Sequence, residues 1–267
     1  MNKTIEYQGK KINYHISGEG KVLLFIHGYL ESSKIWLDFT GRFANKYKVI
    51  LIDIPGHGDS EMLSHLQNMP LLADAVDSVL RAEQVKKVTI FGHSMGGYIT
   101  LEYVSQFPDK IEGYCLFHST CFADNEEKKL NRDREISLVK CGKKMQIVHT
   151  NIPKGFADSN IERFAEEISL AKEIAANTDD EGIIALLNAM KARNDHSVTL
   201  GNPQFEPLLI CGRKDNYIAE EAFRKMTINA PHASVIELEN SGHMGFIEEP
   251  DLAYEGIVNY LEANQTS

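Results

Sequence analysis

The sequence predicts an α/β protein: a mostly parallel sheet with helices packed on its faces. Three observations carry this expectation. Short runs of β-branched and aromatic residues alternate along the chain with segments of helical periodicity. The runs are continuously apolar, as in strands buried on both sides of a sheet. The chain is also long enough, at 267 residues and 43% hydrophobic, to build a core without disulfide or metal support.

Taken in order, residues 4–8 and 11–17 flank a turn at Gly9-Lys10 and read as an antiparallel hairpin. The apolar runs 22–27, 48–53, 87–91 and 111–118 follow as buried strands. Between them, 34–44, 71–83 and 95–107 read as helices. Pro70 opens the second and Phe107-Pro108 closes the third. After His118 the pattern changes. Residues 121–200 are charged and helix-favouring, with amphipathic stretches at 126–142, 161–175 and 181–192 and Gly142 as a C-cap. Strand character returns at 207–212 and 234–238, and a last helix runs over about 249–263. The expected division is therefore a core of 1–120 and 201–267 with a helical lid, 121–200, inserted into it.

Composition excludes several classes of protein. With 28 Lys+Arg against 38 Asp+Glu the net charge is −10, which repels phosphate backbones and anionic membranes. The polar N-terminal stretch lacks the apolar segment of a secretory signal, and no apolar run is long enough to cross a bilayer. Cys115, Cys121, Cys141 and Cys211 form no CxxC pair or zinc spacing, and fit reduced thiols in a cytoplasmic protein. There is no HExxH, GxGxxG or Walker segment. The expectation is a cytoplasmic monomer or homodimer acting on a small molecule, with no cofactor, no metal, no nucleic acid and no membrane partner.

Chemistry concentrates at Gly92-His93-Ser94-Met95-Gly96, a G-x-S-x-G between a buried strand and a helix. A serine on so sharp a turn needs neighbours without side chains two positions to either side, and glycines 92 and 96 meet that need. The helix N-terminus beneath it favours developing negative charge. A serine hydroxyl is a weak nucleophile unless a base and an orienting acid assist it. His243, just past the strand at 234–238, is the expected base, and Asp215, past the strand at 207–212, the expected acid. Asp53 and Asp124 are rival acids, Asp53 as a structural partner of its turn and Asp124 as a helix N-cap. The oxyanion hole is expected from the main-chain N–H groups of Met95 and Tyr29, with Gly28 allowing close approach. His118, Phe122, Ile218 and Met244 are expected to line the substrate pocket.

Together with His27-Gly28, with 53–60 (Asp-Ile-Pro-Gly-His-Gly-Asp-Ser) and with Gly242-His243 followed by Glu249-Pro250, these residues resemble the α/β-hydrolase superfamily. The resemblance covers nearly the whole chain. It implies an eight-stranded sheet with the second strand antiparallel and a helical lid after the sixth. Residues 118–134 are similar to small bacterial carboxylesterases and enol-lactonases, in which an Ala-Asp pair and a following arginine begin the lid. Here these would be Ala123-Asp124 with Arg132 or Arg134. Serine at position 94 separates the chain from the superfamily's dehalogenases and epoxide hydrolases. The leading expectation is a serine hydrolase of small carboxylic esters. The same triad could instead serve lactone opening, C–C cleavage, N-terminal proline peptides or elimination, and a non-catalytic receptor is a third reading. A buried lid arginine (Arg132, Arg134, Arg163 or Arg193) would favour an anionic substrate, and an acidic pocket a free amine.

Overall fold

The computed structural model describes residues 1–264. Eight strands form one sheet in the order β1-β2-β4-β3-β5-β6-β7-β8. They are β1 (Asn2–Tyr7), β2 (Lys10–Ser17), β3 (Val22–Ile26), β4 (Lys48–Ile52), β5 (Val88–His93), β6 (Ile111–Phe117), β7 (Leu208–Gly212) and β8 (Ser234–Leu238). β2 runs antiparallel to both its neighbours, and every pairing from β4 through β8 is parallel. The hairpin turn falls at Gln8-Gly9, one residue earlier than the sequence suggests. Both residues take positive φ, as the tight turn of a right-twisted ribbon requires.

The central strands are buried on both sides, and alternate residues divide between two cores. Leu24, Ile26, Ile50, Ile52 and Ile90 pack on one face beneath α2 (Met69–Ala82) and α3 (Met95–Gln106). Leu23, Phe25, Leu51, Phe91 and Phe117 form the other core, which is markedly aromatic. Phe25 stacks on Phe91 with ring centroids 4.7 Å apart, and Trp36 meets Phe246 at 4.2 Å. Asn68 caps α2 by accepting the N–H of Leu71, with Pro70 in the first turn.

The helix expected over 34–44 is instead broken into two 3₁₀ turns around the four-residue α1 (Leu37–Thr40). Between β6 and β7 lie α4 (Glu126–Lys140), α5 (Lys144–Lys154), α6 (Ala165–Ala176), α7 (Asp180–Lys191) and α8 (Ser197–Leu200). α5 has no counterpart in the sequence reading, because Pro153 in its last turn masks the helical pattern. After β7 come α9 (Glu220–Asn229), then β8, α10 (Gly245–Glu248) and α11 (Pro250–Ala263). Among the described residues no helix is long and apolar enough to cross a membrane.

Candidate active site

The sequence-predicted chemistry gathers where the parallel strands end. Ser94 separates β5 from α3 and holds φ 51°, ψ −114°, a combination that side chains other than glycine adopt at a cost of about 1–3 kcal/mol. Packing fixes it there. A Cβ on Gly92 would overlap the Gly96 carbonyl and Thr100 Oγ1, and one on Gly96 would overlap the Ile26 and His27 carbonyls. The Ser94 N–H donates to the Phe117 carbonyl at 3.0 Å, and Ser119 Oγ donates to the Ser94 carbonyl at 2.7 Å. The backbone therefore keeps its strained turn while the side chain faces a cavity of about 590 Å³, shared with His243. Ser94 Oγ makes no hydrogen bond to His243 among the described residues; contacts of this kind often tighten only around substrate.

His243 Nδ1 lies 2.8 Å from Asp215 Oδ2, which leaves Nε2 as the ring's proton-accepting nitrogen. The other oxygen of Asp215 accepts the N–H groups of Tyr217 (2.7 Å) and Ile218 (3.0 Å). Burial alone would raise the Asp215 carboxyl, but His243 and His118 hold it well below the usual carboxylate range. An ionised aspartate behind an imidazole fixes its tautomer and stabilises the imidazolium formed when the ring takes a proton.

His118 is placed differently from the expectation. It is fully buried, does not line the cavity, and sits behind Asp215 with Nδ1 3.3 Å from the same Oδ2 that His243 contacts. Its Nε2 accepts the Gly245 N–H at 3.1 Å. Its Nδ1 also meets the Gly212 N–H at 3.1 Å, and burial lowers its pKa to about 4, so the ring stands neutral behind the aspartate with a main-chain N–H at each nitrogen. Phe122 is also absent from the cavity wall, its carbonyl being drawn instead to the Arg193 guanidinium. Ile218 and Met244 do line the cavity.

The loop after β3 carries Tyr29, whose main-chain N–H has no partner among the described residues. Met95 opens α3, where N–H groups have no carbonyl one turn earlier. Two neutral histidines shape the loop. His27 Nδ1 donates to the Gly28 carbonyl while Nε2 accepts the Ile54 N–H, and His57 Nδ1 donates to Gly56 while Nε2 accepts the Leu30 N–H. Burial lowers both, His57 to about 3.

Two buried carboxylates that sequence reasoning passed over hold the site together. Glu31 accepts the Gly28 N–H at 2.6 Å and faces His93 Nδ1 at 3.0 Å, while His93 Nε2 lies 2.9 Å from the main-chain carbonyl of His243. Both ring nitrogens of His93 thus meet acceptors, which only an imidazolium satisfies. Burial opposes that charge, but Glu31 and the His243 carbonyl outweigh it, so the His93 pKa rises while that of Glu31 falls. Glu248, also buried, accepts the N–H groups of Gly242 and Met244, on either side of His243, with Oε1. Its Oε2 accepts from the Ala157 N–H and Asn160 Nδ2. The sequence signal for both was a glutamate beside a recognised motif, at His27-Gly28 and before Glu249-Pro250.

Of the rival acids, Asp53 accepts from Ser33 N–H, Asn13 Nδ2 and Asp59 N–H and closes its own turn. Asp124 is not the N-cap of α4; Asn125 takes that place by accepting the Lys128 N–H. Asp124 is instead a buried counter-ion shared by Arg132 and Arg193, at 3.0 and 2.7 Å. Of the four candidate arginines, Arg132 and Arg134 line the cavity, and Arg193 is buried beneath it over the Tyr98 ring.

His118, Asp215 and His243 bring donor atoms within 4.8 Å of one another. A metal there would have to displace the contacts between the two imidazoles and the carboxylate, so the set suits proton handling better than ligation. All four cysteines are free.

This fold and site define a hydrolase class: the alpha/beta hydrolase fold model matches residues 21–250, and the chain belongs to that family. Within it, the chain is 25% identical over 268 residues to the (E)-2-((N-methylformamido)methylene)succinate hydrolase of Acinetobacter baylyi, covering 98% of each. It is similar in structure to a thermophilic esterase from Thermogutta terrifontis solved with malate bound, at TM-score 0.93 and 22% identity over 99% of both chains. The enol-lactonase from Burkholderia xenovorans LB400 gives 0.90 and 19%, covering 97% of this chain and all of that one. At these identities the two structural likenesses speak to fold alone.

Proposed function

We propose that the protein is a serine hydrolase of small carboxylic esters, working through an acyl-enzyme. One observation carries the reading: a serine held at a strained strand-to-helix turn shares a cavity with an imidazole fixed by a buried carboxylate. In this mechanism His243 Nε2 takes the Ser94 proton as Oγ attacks the ester carbonyl. The oxyanion forms against the N–H groups of Tyr29 and Met95, at the positive end of α3. Collapse expels the alcohol, which receives its proton from His243. Water then attacks the acyl-enzyme by the same route and releases the acid. Asp215 keeps the Nδ1 proton in place throughout, and helices 121–200 act as the lid that walls off the cavity from water.

The test is hydrolysis of p-nitrophenyl acetate, butyrate, octanoate and laurate by wild type and Ser94→Ala. The mutant should lose activity to background, a fall in kcat of about 10⁶ as for other serine hydrolases. The chain-length profile should fall away for laurate, which is long for a cavity of about 590 Å³. Unchanged turnover in Ser94→Ala would refute the mechanism. Wild type that turns over no ester but is labelled at Ser94 by a fluorophosphonate would keep the nucleophile and reject the ester substrate.

A further inference from the structure

The cavity roof holds polar atoms that the ester mechanism does not use. On α4, Arg132 and Glu135 stand one helical turn apart and both face the cavity. Glu135 Oε1 accepts from Asn151 Nδ2 at 3.0 Å. Its Oε2 is buried with no hydrogen-bond partner among the described residues, and so is the Tyr29 hydroxyl. The two lie close enough to interact but not in aligned hydrogen-bond geometry; burial first, then the Glu135 carboxylate and its contact with the phenol, push the Tyr29 hydroxyl well above its ordinary range. A buried carboxylate oxygen without a donor is unusual in a folded protein and asks for one.

Arg132 does not supply it. Its Nε is committed to Asp124, and no ion pair joins it to Glu135 among the described residues. The roof is tied to the reacting groups by a short chain of contacts. Asn151, which holds Oε1, also accepts the Tyr217 hydroxyl at 2.8 Å through its carbonyl, and the Tyr217 N–H donates to Asp215. Glu135 is therefore held in a fixed position relative to His243, as a recognition group must be.

We propose that Glu135 Oε2, with the Tyr29 hydroxyl beside it, is a specificity site for a hydrogen-bond-donating group, a hydroxyl or an ammonium, on the substrate. The proposal rests on the ester-hydrolase reading for its position relative to the scissile bond. Arg132, one turn away, moderates the negative charge, so a neutral hydroxyl suffices and a bare cation is not required. The apolar analogue of such a substrate leaves Oε2 with only the misaligned Tyr29 hydroxyl, and discrimination arises from that poorly made bond more than from shape.

The experiment compares isosteric pairs: 2-hydroxyethyl butyrate against propyl butyrate, and methyl 3-hydroxybutyrate against methyl 3-methylbutanoate. Acid release is followed by pH-stat, and butyrylcholine serves as a cation without an N–H or O–H donor. Wild type should favour the hydroxyl member of at least one pair by about tenfold in kcat/KM. Glu135→Leu should erase or invert that ratio while still hydrolysing the apolar member, and Glu135→Gln, which turns an amide N–H toward the cavity, should weaken it. Equal ratios in wild type and Glu135→Leu overturn the proposal. A preference for butyrylcholine that Glu135→Leu abolishes, without any preference for hydroxyl, also overturns it, in favour of a site for charge alone. The same pairs are titrated into Ser94→Ala by NMR, where Kd is read without turnover. Hydroxyl-selective binding there, alongside an inactive wild type, sustains the recognition site and rejects the ester chemistry. Unselective binding rejects the site whatever the enzyme's activity.

Discussion

Glu248→Gln should destabilise the protein and impair turnover together. In the native protein the two carboxylate oxygens take four donors: Gly242 N–H at 2.8 Å, Met244 N–H at 3.2 Å, Ala157 N–H at 2.9 Å and Asn160 Nδ2 at 2.7 Å. Glutamine has the same shape but offers only one accepting oxygen, so whichever way it turns, two donors face an N–H. Each buried donor left unsatisfied costs about 1–3 kcal/mol, giving a loss of roughly 2–6 kcal/mol. At about 2–4 °C per kcal/mol for a chain near this size, Tm should fall by roughly 4–24 °C. The donors include the residues on both sides of His243, so kcat on p-nitrophenyl butyrate should fall more than KM rises. Glu249→Gln is the control, since its two close donors, the Asn240 N–H and the Ser241 hydroxyl, share one oxygen, whose place the single amide oxygen of glutamine can take. Thermal unfolding by circular dichroism and initial rates at one pH read both effects. If the two variants have Tm values within about 2 °C of each other, the reasoning from four buried donors on one carboxylate fails.

Asp215→Asn should lower kcat by about 10⁴ with little change in KM, because an amide can hold the wrong imidazole tautomer; a loss under about tenfold would mean that another group orients His243. The buried His93–Glu31 pair gives a pH signature. The His93 pKa is raised in the folded state, so its stabilising share is complete below the ordinary histidine value and is lost as pH rises through the raised one. Tm of wild type should therefore fall from about pH 6 to about pH 9 by more than Tm of His93→Gln. Parallel curves would show that His93 carries no extra proton.

Much of this was legible in the sequence because it depends on local constraints. The elbow at 92–96 could be read since only glycine fits where a side chain would strike backbone carbonyls. The sheet could be read because strands such as Val22–Ile26 are apolar without interruption. What escaped was decided by contacts distant in sequence. His118 looks like a pocket residue from its place after β6, but its left-handed φ of 49° swings the ring behind Asp215. Asp124 has the composition of a cap, yet Arg193, far along the chain, draws it inward. Glu31 and Glu248 look like ordinary surface residues until the fold closes over them.

These two glutamates also explain how a site assembled from loops can be precise. Tyr29, Ser94, Asp215 and His243 follow four different strands, and no single element could set their spacing. Ser94 is fixed by its strained turn, and Leu30 beside Tyr29 also takes a left-handed φ of 63°, but local strain cannot set one loop's position against another. Glu31 joins the loop of Tyr29 through His93 to the backbone of His243. Glu248 joins the His243 loop to residues 157 and 160 within the helical insertion. Each buried charge is costly alone and is offset here by the donors that converge on it. Their placement couples the loops: displacing one strands donors on another, so the loops settle in a single arrangement around the cavity. The helical insertion is included in that coupling at residues 157 and 160, and at Asn151 through Tyr217. Substitutions in its contacts with Glu248 should therefore act on the placement of His243 as well as on the shape of the cavity.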